Sequence, residues 1–380
     1  MANVRVNAQQ PEPGEAISQR ALNRATLARQ HLLQRTRMPA LTAIEHLVGM
    51  QAQVPRTPYV GLWSRLEGFE AAELSEAMAS RQAVRAPLMR ATIHMTSARD
   101  ARELWPLVQP VLERNLMTGS PFGRNLKQID MEVLLAAGKE LIDEAPRSTA
   151  ELKALLGERW PETDGTSMAY AVNHLLPVVQ VTPRGLWTES SQTRWTTFDT
   201  WMGQSINAEP SREMLVLRYL AAFGPASVAD IQNWSGLTRL KDVFAALLSQ
   251  LWTFRNEQGK ELFDLPEAPR PDPSTPAPVR FLPVYDNVLL GHADRSRFFS
   301  ADTVIPAGAG GARDVGTILV DGFVRGIWLI TRVKQAATLS IQTFQGLAAA
   351  DVSAIHEEGS RLLDFVAADA ASREVAFVTL

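Results

Sequence analysis

The sequence predicts an α+β protein with three tandem winged helix-turn-helix units, followed by a small β-rich C-terminal region and a terminal helix. The first observation behind this fold class is that helical periodicity followed by two alternating strands occurs three times along the chain. The second is that the alternation typical of strands prevails after residues 266–278, a segment with six prolines. With 380 residues, 46% of them apolar, the chain is long enough for several compact units.

The first predicted unit spans residues 19–145 and follows a leader, residues 1–18, that we expect to be disordered. Residues 23–34 carry apolar side chains at helical spacing, and Asn23 is suited to cap that helix. Residues 84–96 alternate apolar and polar side chains, as expected for the hairpin that follows the helices of a winged unit.

The second predicted unit spans residues 146–208. Ser148 and Glu151 have the spacing of a capping box at the start of a helix. Residues 178–195 then alternate around the turn Pro183-Arg184-Gly185, which predicts a second hairpin.

The third predicted unit spans residues 209–266. Residues 224–237 have the pattern of a helix-turn-helix, and residues 252–265 that of a hairpin. Residues 267–380 complete the chain with a proline-rich connection, a β-rich domain and a terminal helix. The strands are predicted over residues 279–290, 317–331 and 337–344, and the helix over residues 348–368.

The composition excludes several classes of protein. The chain has no cysteine, which rules out disulfides, thiolate zinc sites and cysteine nucleophiles. Its six histidines are scattered, so we predict no metal and no other cofactor. No apolar run approaches the ~18 residues of a membrane span, and we expect no membrane association.

The charge is unevenly distributed although the net value is only −3. Residues 20–65 hold seven arginines and one acidic residue, and residues 81–99 hold four arginines and none. A basic first quarter on a mildly acidic chain indicates a polyanionic partner such as DNA. The alternative is a solvated arginine surface on ordinary helices.

Two glutamines mark the segment around which the first unit is organised. Gln51 and Gln53 lie just past a helix predicted to end near Gly49, and Pro55 prevents the helix from continuing undisturbed. Side chains two residues apart point to the same side of an extended segment. Two such amides could orient a water molecule, but loop amides also commonly cap backbone groups. The residues alone leave both interpretations open.

Three stretches together carry a family resemblance: residues 47–66, 88–95 and 281–295. With them the chain resembles the winged-helix DNA glycosylase superfamily of bacteria, specifically its AlkZ-like branch, from about residue 22 to the last helix. Gln51-Ala52-Gln53 matches the glutamine-x-glutamine variant of the branch motif. Val284 departs from the pattern, since relatives often carry an acidic residue there.

The resemblance implies a monofunctional DNA glycosylase that excises bulky cationic purines, alkylated at N7 or N3, from double-stranded DNA. The branch is associated with repair and with self-resistance to DNA-alkylating antibiotics, which extends the expected substrates to interstrand crosslinks. Gln51 and Gln53 would be the catalytic pair that places a water beneath C1′. We expect a monomer that acts in the cytoplasm at the nucleoid.

The remaining site residues are predicted as DNA contacts. Arg24, Arg56, Arg90 and Arg184 would hold phosphates, which positions DNA without reading its sequence. His94 lies on the same predicted wing as Arg90, with a buried structural histidine as the alternative. Tyr59 could stack on a base or belong to the core. Tyr285 and Asn287 would face the DNA channel.

A binding protein without chemistry is the alternative function. Winged-helix regulators usually place their base-reading residues on one recognition helix and dimerise over two half-sites. Here the arginines are spread over helices, loop and wing in one chain, which favours an enzyme that wraps a damaged duplex over a regulator or an architectural protein.

Overall fold

Three successive stretches of the chain share one order of secondary-structure elements. The computed structural model describes residues 16–206, 209–299, 315–344 and 346–378. Each stretch has a helix, a short extended segment, two more helices and a β-hairpin, and the extended segment pairs with the second strand of the hairpin. We refer to residues 40–97, 131–197 and 212–264 as the first, second and third helix–hairpin sets.

The first set follows a short strand and a helix. Its elements and those before it are β1 (Ala16–Ile17), α1 (Gln19–Arg29), α2 (Ala40–His46), β2 (Met50–Gln51), α3 (Thr57–Arg65), α4 (Ala71–Ala79), β3 (Ala83–Pro87) and β4 (Ile93–Ser97). The hairpin predicted over residues 84–96 is confirmed by the pairing of β3 with β4.

Helix α1 starts earlier than the sequence predicts. Ser18 is its N-cap, with Oγ accepting a hydrogen bond from the Ala21 N–H at 3.2 Å. Asn23, the predicted cap, is instead buried inside the helix and donates through Nδ2 to the carbonyl oxygen of Gly322 at 2.8 Å. Most of the predicted leader, residues 1–15, lies outside the described residues. Its last residues are ordered, since Ala16 pairs with Arg255.

Two helices between the first and second hairpins were not predicted. They are α5 (Ala98–Arg114), which contains two prolines, and α6 (Met131–Glu144). Helix α6 packs on α7 (Thr149–Arg159) and α8 (Gly165–Leu175), with Ile142, Leu156 and Val172 in one buried cluster. The second set therefore begins at α6, before the boundary predicted between residues 145 and 146.

The first two sets share a five-stranded sheet. The second hairpin consists of β5 (Val178–Gln180) and β6 (Trp195–Thr197), and the strand order is β2-β4-β3-β5-β6. The sets meet where Arg85 of β3 pairs with Gln180 of β5. The predicted turn around Pro183 lies inside the longer connection between β5 and β6.

In the third set, the segment predicted as a helix-turn-helix contains a helix and the turn at Gly236, and a second helix follows. Its elements, with the helix before it, are α9 (Phe198–Met202), α10 (Arg212–Phe223), α11 (Val228–Ser235), α12 (Lys241–Leu247), β7 (Trp252–Asn256) and β8 (Glu261–Asp264). Ser227 and Asp230 form a capping box at the start of α11. Gly236 ends α11 with a φ of 80°, a backbone conformation that favours glycine.

A second five-stranded sheet forms most of the C-terminal region. Its order is β13-β12-β11-β10-β9. The elements are β9 (Arg280–Leu282), α13 (Asn287–Leu290), β10 (Gly316–Val320), β11 (Phe323–Val333), β12 (Ala336–Thr343), α14 (Ala349–Val366) and β13 (Ser372–Phe377). The strand predicted over residues 279–290 is shorter because α13 begins after Asp286, and β13 was not predicted. Helix α14 confirms the predicted terminal helix and packs Ile355 and Leu362 against this sheet.

No helix in the described ranges has the length and apolar character needed to cross a membrane. Over the same ranges, no three histidine, aspartate or glutamate side chains are grouped so that they could hold a metal ion.

Candidate active site

Strand β2 places Gln51 beside the first hairpin. After α2 the chain reverses at Val48 and Gly49, whose φ angles are 56° and 89°. Asn287 fixes this reversal, since its Nδ2 donates to the carbonyl oxygen of Gly49 at 2.6 Å. Gln51 then pairs with His94 across the β2–β4 ladder. Gln51 therefore lies on the extended segment that the sequence predicts, whereas Gln53 lies at a bend just after it.

The two glutamine amides are held by hydrogen-bond donors of the same hairpin. Gln51 Oε1 accepts from Arg90 Nη2 at 2.7 Å, and Gln53 Oε1 accepts from the Ile93 N–H at 3.3 Å. A guanidinium and a backbone N–H can only donate, so the carbonyl oxygen of each amide must face the hairpin. Gln51 is 8% exposed and Gln53 is exposed. Among the described residues, neither Nε2 group has a hydrogen-bond partner, which leaves both free for a substrate or water.

Arg85 holds the backbone between the two glutamines. It is 1% exposed, donates through Nη2 to the Ala52 carbonyl oxygen at 2.8 Å and through Nε to Gln180 Oε1 at 3.0 Å. Burial, with a contribution from the charge of Arg184, lowers the pKa of Arg85 to about 10. Arg85 therefore stays cationic at neutral pH and connects the motif to the second set. No local sequence signal distinguishes it from the other arginines of the basic first quarter.

Arg90 lies at the turn between β3 and β4 in the left-handed backbone conformation, with a φ of 55°. Besides Gln51, its guanidinium donates to the carbonyl oxygen of Trp234 at the end of α11. Burial, with a contribution from the charge of Arg295, lowers the pKa of Arg90 to about 10. Two of its nitrogens are therefore occupied inside the protein, which the prediction of a phosphate contact did not anticipate.

His94 lies in the interior of the sheet, as in the alternative of a buried structural histidine, and its predicted contact with DNA has no exposed side chain to support it. It lies on β4, paired on both sides, and is 1% exposed. Its Nδ1 is 3.0 Å from the Thr92 carbonyl oxygen, and among the described residues its Nε2 has no partner. Burial, with a contribution from the charge of Arg90, lowers the pKa of His94 to about 3. The imidazole is therefore neutral and structural at neutral pH.

We expect the buried histidine to make the protein less stable in mild acid. The unfolded chain binds a proton on His94 below about pH 6.5, whereas the folded protein does not until about pH 3, so stability is lost as the pH falls. At pH 5 this one group costs about 2 kcal/mol. Urea unfolding of the wild type and His94→Gln at pH 7 and pH 5 should show a smaller loss in the variant. An equal loss in both would contradict the assignment.

Three further predicted DNA contacts are also interior. Arg24 is 0% exposed, forms an ion pair with Asp321 and donates to the Thr275 carbonyl oxygen at 2.6 Å. Tyr59 is 0% exposed and donates from its hydroxyl to the Gly185 carbonyl oxygen at 2.8 Å. Asn287 is 4% exposed and supports Gly49. None of these three predicted contacts has an exposed side chain, because each side chain is bound to groups far away in the sequence.

The other three predicted contacts reach the surface. Arg56 is exposed and stacks over Trp187 at 5.0 Å from the ring centroid. Tyr285 is 38% exposed. Arg184 is half-buried and donates to the Ser191 carbonyl oxygen at 2.9 Å. Their contacts with DNA remain predictions.

A group of exposed cations near Arg90 was missed by the sequence analysis. Arg114 donates to the Gly236 carbonyl oxygen at 2.5 Å, and a Cβ at Gly236 would lie 3.5 Å from the Arg90 Cα. Arg295 is exposed and close enough to affect the pKa of Arg90, and Arg239 is exposed in the loop after Gly236. We call Arg114, Arg239 and Arg295 the basic rim. They lie outside the arginine-rich first quarter, and the fold brings Arg114 and Arg295 near Arg90.

Comparison with known proteins identifies the class as DNA glycosylase. The family model described as DNA glycosylase AlkZ-like matches residues 44–365. The chain belongs to the AlkZ-like DNA glycosylase family, as the sequence resemblance indicated, and is therefore a DNA-repair enzyme. The fold is similar to that of Streptomyces sahachiroi DNA glycosylase AlkZ, with a TM-score of 0.72 and 19% identity over 96% of this chain and 100% of that chain. This similarity supports the mixed α/β class. A comparison with curated protein sequences gave no match.

Proposed function

We propose that this enzyme excises bulky cationic purines, alkylated at N7 or N3, from duplex DNA by water attack at C1′, with Gln51 and Gln53 as the catalytic pair. The observation that carries the proposal is the pair of uncharged amides fixed by one hairpin, with Arg90 bound to Gln51 and the Ile93 N–H bound to Gln53. Among the described residues, no carboxylate forms a hydrogen bond or ion pair with either glutamine or with Arg90.

The chemistry of the leaving group explains why amides are sufficient. Hydrolysis of an N-glycosidic bond passes through an oxocarbenium-like sugar, and most glycosidases use two carboxylates for it. An N7- or N3-alkylated purine is already cationic, so it leaves without a strong general acid. The protein has to place a water and to orient dipoles toward the developing charge. An amide oxygen has two lone pairs, so Gln51 and Gln53 each retain one for that water.

Because Gln51 and Gln53 are uncharged, they also make the proposed enzyme selective for damaged bases. An ordinary purine is uncharged and would need protonation to depart, and a pair of glutamines cannot supply a proton. We propose that bulky adducts of DNA-alkylating natural products, interstrand crosslinks included, are substrates, and that the enzyme serves repair or self-resistance. The family resemblance supports this narrower assignment.

The architecture suits a duplex. We propose that the three helix–hairpin sets are tandem winged helix-turn-helix units, because each repeats the order helix, extended segment, two helices and hairpin. Arg56, Arg184 and the basic rim would contact phosphates, with Tyr285 near the lesion. We propose a monomer working on DNA in the cytoplasm without a metal or cofactor.

The test uses purified protein and a duplex with one N7-alkylguanine. We expect abasic sites at the lesion, revealed as strand breaks only after heating with alkali, because no lysine Schiff base is involved. The undamaged duplex should stay intact, and a Gln51→Ala/Gln53→Ala preparation controls for contaminating glycosylases. The absence of abasic sites from both N7- and N3-alkylated duplexes would overturn the proposal.

A further inference from the structure

We infer that Arg90 is a positioning residue that fixes the amide of Gln51 by tying it to the third helix–hairpin set, an inference that rests on the proposed catalytic role of Gln51. Its guanidinium donates from Nη2 to Gln51 Oε1 at 2.7 Å and from Nη1 to the Trp234 carbonyl oxygen. A guanidinium is planar and rigid, so these two bonds set the Gln51 amide relative to the end of α11.

The geometry favours this role over a phosphate contact. An arginine grips a phosphate best with two parallel N–H donors. In Arg90 both terminal nitrogens have an inward partner, and Trp234, which supplies one of them, is 1% exposed. Turning the fork toward DNA would leave the Trp234 carbonyl oxygen and Gln51 Oε1 without this donor, which is costly for buried polar groups.

The consequence for catalysis lies in which atoms of Gln51 remain available. Rotating the amide by half a turn would place its NH₂ group against a cation that only donates. Arg90 therefore excludes that orientation, so that one Oε1 lone pair and both Nε2 hydrogens stay directed away from the hairpin. Gln53 receives the corresponding bond from the Ile93 backbone and needs no side chain for it. The inference therefore concerns Gln51 specifically.

Arg90→Asn is the informative variant. Asparagine tolerates the left-handed backbone conformation of this position, and its side chain is too short to reach both partners. We expect the single-turnover excision rate at saturating DNA to fall on the order of 10-fold to 100-fold, because a hydrogen bond from a charged donor is lost. The dissociation constant for DNA and its salt dependence should stay unchanged. Arg37→Asn, at an exposed arginine paired with Glu67, is the matched control and should excise normally.

A double variant separates positioning from a general effect on the hairpin. In a Gln51→Ala background, Arg90→Asn should cause no further loss of rate, because the group it positions is gone. An equal loss in that background would overturn the inference, since the hairpin itself would be disturbed. A normal saturating rate with weaker binding and a salt slope reduced by about 0.9 would overturn it in favour of a phosphate contact.

Two further outcomes are distinguishable. If the wild type excises no alkylated purine, the proposed function fails; if it does so and Arg90→Asn is equally fast, only the positioning role fails. Should Arg90→Asn melt at a much lower temperature, Arg90→Lys replaces it. A lysine ammonium cannot reproduce the planar fork, so we expect a loss of rate in the same direction.

Discussion

We expect Gln51→Ala and Gln53→Ala each to lower the single-turnover excision rate of a cationic alkylated purine by on the order of 10²–10³-fold, with duplex affinity nearly unchanged. The magnitude is that of one oriented dipole acting on a transition state. An amide that meets only the sugar and the attacking water acts mainly in that state, so its loss changes the rate more than binding. Single-turnover kinetics measure the excision rate, and fluorescence anisotropy measures the affinity for duplex DNA.

The combined variant gives the sharper result. If both glutamines hold one water, the double alanine variant should lose less than the product of the two single losses. Gln53→Asp should keep some activity, because a carboxylate keeps an oxygen acceptor at this position. Gln258→Ala, at an exposed glutamine of the third hairpin, is the control and should match the wild type. Full excision by the double alanine variant would refute the catalytic assignment.

We expect Asp286→Ala to lower the free energy of unfolding by about 3–5 kcal/mol, the cost typical of breaking a buried ion pair. Arg65 and Asp286 are both buried and are joined by two hydrogen bonds of 2.7 and 2.8 Å. Asp286 also caps α13 by accepting from the Val288 N–H at 3.0 Å. Removing the carboxylate leaves a buried guanidinium without its counter-ion. Urea unfolding followed by circular dichroism measures the loss.

The same change should also weaken excision. Asn287 follows Asp286 directly and holds the Gly49 carbonyl oxygen, so loosening this loop loosens the turn before Gln51. Glu67→Ala, which removes a carboxylate from the exposed pair with Arg37, is the control and should leave stability unchanged. A stability loss for Asp286→Ala no larger than that of the control would contradict the importance of the pair.

The sequence predicts local structure well where several signals coincide in a few residues. At Ser148 and Ser227 a cap residue precedes an acidic partner three positions later, and both capping boxes are present. The hairpin over residues 252–265 is confirmed as β7 and β8 because its alternation and turn are equally local. The extended segment with Gln51 belongs to the same category.

Burial of charged and polar side chains could not be predicted, because it depends on partners far away in the sequence. Arg24 is interior only because Asp321 and Thr275 surround its guanidinium. Tyr59 is interior because Gly185 accepts from its hydroxyl. A count of arginines treats Arg24 and Arg56 alike, although one is fully buried and the other exposed.

The basic rim consists of surface arginines that the sequence analysis did not predict to lie near the site. Arg114, Arg239 and Arg295 lie in three separate parts of the chain. Only the fold brings Arg114, through its contact with Gly236, and Arg295 near Arg90.

Helix α5 was missed for a local reason, since Pro106 and Pro110 interrupt a pattern that otherwise has helical spacing. The fold tolerates both prolines within one long helix.

Helix α1 has a consequence for synthesis on the ribosome. Its buried cations Arg29 and Arg24 meet their carboxylates at Asp264 and Asp321, and β1 before it pairs with β7. Translation proceeds at roughly 5–20 residues per second, so α1 waits on the order of 15–60 s for these partners to be made. Among the described helices, α1 is thus made first and docks among the last. A nascent chain halted before Asp264 would carry both arginines without the groups that allow their burial.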